Sequence, residues 1–229
     1  QHHGNPAGAL RRCAVVAVRH IVGRVQCALV GGRCHRHFGT VGKGTEGRMT
    51  ALRDYPKPGH KPDTASMMRV DQAGEYGATR IYAGQLAVMG DRHPMSRLIA
   101  GMAAQEEHHR RTFDRMMIER GVRPTILQPF WNVAGYALGA VTAAIGPEAA
   151  MACTAAIETE IDRHYAEQRE QLGDADPELS DTIADFQAEE VEHRDTALAN
   201  GAEKAMAYPL LAGVIRLGCR AAIKLSARI

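Results

Sequence analysis

The chain has 229 residues, 45% of them hydrophobic, 5% aromatic and 24% charged, with 28 Lys+Arg against 26 Asp+Glu. That length and charge content exclude a collagen and a multi-span membrane protein, and leave one or two globular domains with a sizeable core. Few aromatics and many alanines disfavour an all-β sandwich and favour helices. The five cysteines (13, 27, 34, 153 and 219) are an odd count without a C-x-x-C pair, so neither a disulfide framework nor a Cys zinc site is expected.

Charge is unevenly spread. Residues 1–48 hold eight Lys/Arg and one acid, Glu46, which leaves the rest with 20 Lys+Arg, 25 Asp+Glu and a net charge of −5. An acid-poor, Arg-rich start has the composition of a mitochondrial transit peptide. A disordered basic tail, or sequence lying ahead of a natural start at Met49, fits the same composition. Arg19 and Arg24 interrupt the only long apolar run there, so no membrane span is expected in it. Without interleaved aromatics, nucleic acid is not an expected partner. Pro56, Pro58 and Pro62 then make a stiff linker. The expected division is a basic leader and linker over 1–62 and a folded body over 63–229.

Five helical segments are expected in the body. Apolar residues recur at helical spacing from Thr64 to Met89 (Met67, Met68, Ile81, Tyr82, Leu86), and Gly90 stops the run. Pro94 suits the first position of a second helix, which runs to Arg120 with Gly121 as its stop. Pro147 opens a third, to about Leu172, and Asp176-Pro177 caps and opens a fourth, to about Ala199. A fifth is expected over Glu203–Leu225, broken near Pro209. Long helices with short first and last loops and one long middle connection describe an all-α, antiparallel four-helix bundle with a crossover, plus a C-terminal amphipathic helix.

The chemistry is written in glutamates and histidines. Glu-x-x-His occurs at Glu106/His109 and again at Glu190/His193. Residues three apart share a helical face, so each pair delivers a carboxylate and an imidazole to one volume. Alone this is a weak pattern; solvated helix positions produce it often. The repeat around it is stronger. Glu75 precedes Glu106 by 31 residues and Glu158 precedes Glu190 by 32, each mid-helix in the preceding element. Glu75 sits among Ala73, Gly74, Gly77 and Ala78, and Glu158 among Ala155, Ala156, Ile157 and Ile161, where bare anions are costly to bury. Two divalent cations would balance four such carboxylates, and carboxylate plus imidazole without thiolate favours Fe or Mn. This is the ligand set of ferritin-like di-iron and di-manganese bundles.

Met68–Ala78 (MRVDQAGEYGA) with Arg80–Gln85 (RIYAGQ), Arg123-Pro124-Thr125, Pro129–Asn132, Gly139–Thr154 and Gly218-Cys219-Arg220 together resemble the demethoxyubiquinone hydroxylases, over about residues 67–229. The resemblance implies a ferritin-like di-iron monooxygenase of ubiquinone biosynthesis, acting with O2 on the ring of a demethoxy polyprenyl quinone. It implies two iron ions held by Glu75, Glu106, His109, Glu158, Glu190 and His193, with Glu106 and Glu190 bridging. Asp71, His164 and Tyr165 stand as supporting candidates around the ligands. Electrons would come from NADH without a bound nucleotide domain, since no Gly-x-Gly-x-x-Gly strand-turn-helix is present. It further implies a lipid-binding partner protein that presents the quinone, and a peripheral place on the bacterial plasma membrane or the matrix side of the mitochondrial inner membrane. Homo-oligomerisation stays open.

Two apolar stretches would serve a greasy substrate. Residues 124–147 carry no charge, and 130–146 reads as an interfacial segment anchored by Trp131 and Tyr136. Tyr208–Ile229 sets Leu210, Leu211, Val214, Ile215 and Leu217 beside Arg216, Arg220, Lys224 and Arg228, the pattern of a membrane-surface helix. An iron oxidase or peroxide scavenger, and a non-enzymatic lipid-binding bundle, are the competing readings. The uncovered apolar run argues against the first, and the complete ligand set against the second.

Overall fold

A computed structural model describes residues 61–229, so the expectations for the leader lie outside the described residues. Six α-helices follow one another: α1 (Thr64–Met89), α2 (Ser96–Arg120), α3 (Gln128–Ile145), α4 (Pro147–Leu172), α5 (Pro177–Ala199) and α6 (Tyr208–Ser226), with a 3-10 turn at Ala202–Lys204. Among the described residues there is no strand, and no helix is long and apolar enough to cross a membrane.

The helix ends follow local chemistry. Asp63 caps α1 by accepting from the Ser66 N–H (3.0 Å), and Asp176 caps α5 by accepting from the Leu179 N–H (3.2 Å). Gly121 ends α2 in the left-handed region at φ 65°, where glycine carries no side-chain penalty. Two prolines act differently from expectation. Pro94 lies in the turn before α2, which starts at Ser96, where the Ser96 hydroxyl donates to the Gly90 carbonyl (2.6 Å). Pro209 opens α6 instead of breaking a longer helix, because its missing N–H costs nothing in a first turn.

The larger difference is α3. The segment expected to lie at an interface is an 18-residue helix packed along α1. Small residues make this possible. A Cβ at Gly139 would stand 1.9 Å from the Ile81 carbonyl oxygen, and one at Gly84 2.2 Å from that of Tyr136. Trp131, expected as an outward anchor, is half-buried and donates its indole N–H to the Ser226 hydroxyl (3.1 Å). Tyr136 is partly exposed, with the Arg80 guanidinium 5.3 Å over its ring.

α6 lies against α4. Ile215 and Ala212 join Ile81, Cys153, Ala156 and Ile157 in one apolar cluster. Beside it the fully buried Glu160 carboxylate accepts from Arg216 Nε (2.7 Å), Arg220 Nε and Nη2 (both 2.8 Å) and Arg163 Nη2 (2.8 Å). These guanidiniums hold the carboxyl at about 2, even though burial opposes its charge. Two of the cations expected to face a lipid surface therefore serve an internal carboxylate.

Candidate metal centre

Four helices supply the side chains of the centre. Glu75 comes from α1, Glu106 and His109 from α2, Glu158 from α4, and Glu190 and His193 from α5. All six side chains are buried. They form two overlapping groups, Glu75–Glu106–His109–Glu190 and Glu106–Glu158–Glu190–His193, with the ligand atoms of each within 4.8 Å of one another. Glu106 and Glu190 belong to both. The neighbouring acids point elsewhere, as helical phase dictates: Glu107 pairs with Arg110 and Arg111, and Glu192 is exposed.

The atoms converge without bonding one another. His109 Nδ1 lies 3.1 Å from Glu190 Oε1, 3.4 Å from Glu75 Oε2 and 3.9 Å from Glu106 Oε2. His193 Nδ1 lies 3.0 Å from Glu106 Oε1 and 3.2 Å from Glu190 Oε2. Yet both Nδ1 atoms, Glu106 Oε1 and both Glu190 oxygens are buried without a directed hydrogen bond. Five such atoms in one small volume would be a heavy cost if they had no further partner. Their common aim, at shared points and not at each other, is what a metal pair requires.

The electrostatics say the same. Burial and the charges of Glu190, Glu75 and Glu158 push the Glu106 carboxyl well above its usual range. Burial and Glu190 do the same to Glu158. Glu190 is held at about 2 by the adjacent imidazoles of His109 and His193, although burial opposes its charge. His109 is pushed up to about 10 by Glu190 and Glu75 against the opposing effect of burial. The cluster calls strongly for positive charge, which divalent cations would supply.

A surrounding layer fixes these groups. The Tyr165 hydroxyl donates to Glu75, and the Tyr82 hydroxyl to Glu158 (3.0 Å). Burial and the adjacent carboxylates push both phenols well up, so they remain O–H donors. His109 Nε2 meets Glu189 Oε2 (3.1 Å), His193 Nε2 meets Gln105 Oε1 (2.9 Å), and Gln105 Nε2 donates to Glu189 Oε2 (3.2 Å). Phe186 stacks on His109 with ring centroids 3.9 Å apart. Of the supporting candidates, Tyr165 touches Glu75. Asp71 and His164 instead meet each other, His164 Nε2 lying 3.5 Å from Asp71 Oδ1, and Gln168 joins them, its amide donating to Asp71 Oδ1 (2.8 Å) and lying 3.0 Å from His164 Nε2.

Sequence reasoning passed over Tyr82, Gln105 and Glu189 as supporting groups. The signal was present: Tyr82 follows Glu75 by seven residues as Tyr165 follows Glu158, and Gln105 precedes Glu106 as Glu189 precedes Glu190.

The family described as ubiquinone biosynthesis protein COQ7 matches residues 62–226, the span from the start of α1 to the end of α6. This chain belongs to that family. It is 51% identical over 186 residues to the 3-demethoxyubiquinol 3-hydroxylase of Rhodospirillum rubrum, covering 80% of this chain and 87% of the relative. It is 47% identical over 193 residues to the mitochondrial NADPH-dependent 3-demethoxyubiquinone 3-hydroxylase of Homo sapiens, covering 80% and 88%. The mouse enzyme of the same name is 52% identical over 166 residues, covering 71% and 76%. In this COQ7-family chain the centre is flanked by an apolar cavity of about 370 Å³ between α1, α3, α4 and α6. Gly74 and Ile157, adjacent in sequence to Glu75 and Glu158, form part of its wall, and the exposed Phe130 and Val214 also line it.

Proposed function

We propose that the chain is a di-iron monooxygenase that hydroxylates the ring of a demethoxy polyprenyl quinone with O2 in ubiquinone biosynthesis. In this reading the four site-bearing helices form a ferritin-like antiparallel bundle crossed by α3, and residues 63–229 carry the activity. Glu75, Glu106, His109, Glu158, Glu190 and His193 hold two ferrous ions. Those ions supply the electrons that activate O2. Reducing equivalents come from a reduced nicotinamide nucleotide; the mouse and human relatives are named NADPH-dependent.

The chain's own residues do the rest. Glu106 and Glu190 set the spacing by serving both positions. Tyr82 and Tyr165 orient the terminal carboxylates Glu158 and Glu75. Phe186, backed by Phe113 and Ile183, covers one face of the His109 imidazole and keeps bulk water from it. The cavity takes the quinone, its ring toward the α1 and α4 turns that carry Glu75 and Glu158. Apolar stripes at Phe130, Val133, Val141 and Ile145 on α3, and at Leu210, Val214 and Leu217 on α6, are exposed. They rest on a membrane surface, from which a long isoprenoid tail can enter the cavity.

The observation that carries this reading is the pair of overlapping carboxylate–imidazole groups beside an apolar cavity. The test is iron-loaded protein assayed for ring hydroxylation, with the quinone identified by mass spectrometry. Glu190→Ala removes a carboxylate common to both groups. It should leave helix content intact, lower iron to below one per chain and abolish product. Unchanged product from that variant would reject the assignment.

A further inference from the structure

The two halves of the centre exchange partners. Tyr82, seven residues after Glu75, donates to Glu158, and Tyr165, seven residues after Glu158, donates to Glu75. His109 bonds the residue before Glu190, and His193 bonds the residue before Glu106. Each hairpin thus supplies the supporting groups of the other. Among these hydrogen bonds the correspondence fails at one place: His109 meets a carboxylate, Glu189, where His193 meets an amide, Gln105.

The hydrogen bonds run in one direction. Gln105 donates its amide N–H to Glu189, which leaves Gln105 Oε1 to accept from His193 Nε2–H. The Glu189 carboxylate accepts from His109 Nε2–H as well. With cations in place both imidazoles would carry their one proton on Nε2 and turn the Nδ1 lone pair inward, toward the metal positions. An imidazole that donates to a carboxylate is the stronger electron donor, and the carboxylate adds one negative charge beside its position. An amide does neither. Each position also has one terminal carboxylate with one tyrosine on it, so these groups do not separate the two.

We propose that Glu189 makes the two metal positions unequal, so that the position at Glu75, Glu106, His109 and Glu190 holds a divalent cation more tightly than the position at Glu106, Glu158, Glu190 and His193. This rests on the metal-centre reading above. Gln105 is the positioning counterpart that keeps His193 in the ligating tautomer without strengthening it.

The test is anaerobic Co(II) titration of the metal-free full-length chain, followed by visible absorption and calorimetry. The variants are Glu189→Gln, Gln105→Glu and the double exchange. All three are close in shape to the wild type, and circular dichroism checks their fold. The wild type should bind two Co(II) in separated steps. Glu189→Gln should weaken the first step about tenfold to a hundredfold and leave the second nearly unchanged, as expected for loss of an outer carboxylate on a ligating histidine. Gln105→Glu should strengthen the second step. In the double exchange the steps should separate again, with His193→Ala and not His109→Ala now removing the tighter one. Two separated steps that neither single variant alters would overturn the proposal while leaving the metal centre standing. A wild type that takes up no Co(II) would overturn the metal centre itself, and this inference with it.

Discussion

Gly139 tests the packing that shapes the cavity. An alanine Cβ there would lie 1.9 Å from the Ile81 carbonyl oxygen, 2.7 Å from its carbon and 3.0 Å from its Cα. All three atoms are backbone of α1, so no side chain can swing aside. Restoring an ordinary contact of 3.4 Å would require α3 to move away from α1 by about 1.5 Å at that point. Overpacking of this kind costs about 1–3 kcal/mol, and the rigid neighbour puts it near the top of that range. Glycine to alanine in a helix returns about 1 kcal/mol, so Gly139→Ala should be destabilising by about 2 kcal/mol. For a folded body of this size that is a fall in Tm of about 4–8 °C. Gly101 in α2 is the control, since a Cβ there meets nothing within 4 Å. Gly101→Ala should stabilise by about 0.5–1 kcal/mol through the same propensity gain. Thermal and urea unfolding followed at 222 nm would measure both. A Gly139→Ala protein that melts at or above the wild type would refute the close approach of α1 and α3.

Three other perturbations address the site and its supports. Gly77 lines the cavity and a Cβ on it meets nothing within 4 Å, so Gly77→Leu should fill the space; quinone KM should rise at least tenfold while iron content stays at the wild-type level. Tyr165→Phe strips Glu75 of its phenol partner and Tyr82→Phe does so to Glu158; each should weaken Co(II) binding about tenfold or more, and unchanged affinity in both would show that the hydroxyls do not orient those carboxylates. Glu160→Gln should raise the amide exchange rate of α6 about tenfold, because it removes the charge that Arg216 and Arg220 hold. Glu160 has its carboxyl lowered from 4.5 to about 2, so its contribution is complete above pH 4.5 and is lost as pH falls through about 2. Wild-type α6 should therefore loosen between those limits, and the Gln variant should show no such step.

The parts of this protein that depend on local sequence could be read from it. Four of the long helices were expected within about two residues of where they lie, since Gly90, Gly121, Pro147 and Asp176 act within one turn of the chain. The six ligand candidates were found because a 31- or 32-residue offset and a three-residue offset survive in one dimension. Tertiary structure alone decided the rest. α3 has no polar face to mark its period, and its close seat along α1 depends on glycines of both helices that let two backbones touch, a fact about a pair of segments. Arg216 and Arg220 sit among apolar residues as lipid-facing cations would, and only folding brings them to Glu160, some 60 residues earlier. The exchange of partners across the centre likewise joins residues 76 to 90 apart, such as Tyr82 with Glu158 and Tyr165 with Glu75. Chain order records which side chains share a helix face; which face meets which is settled by the packing of whole helices, and there the partners of the metal centre are chosen.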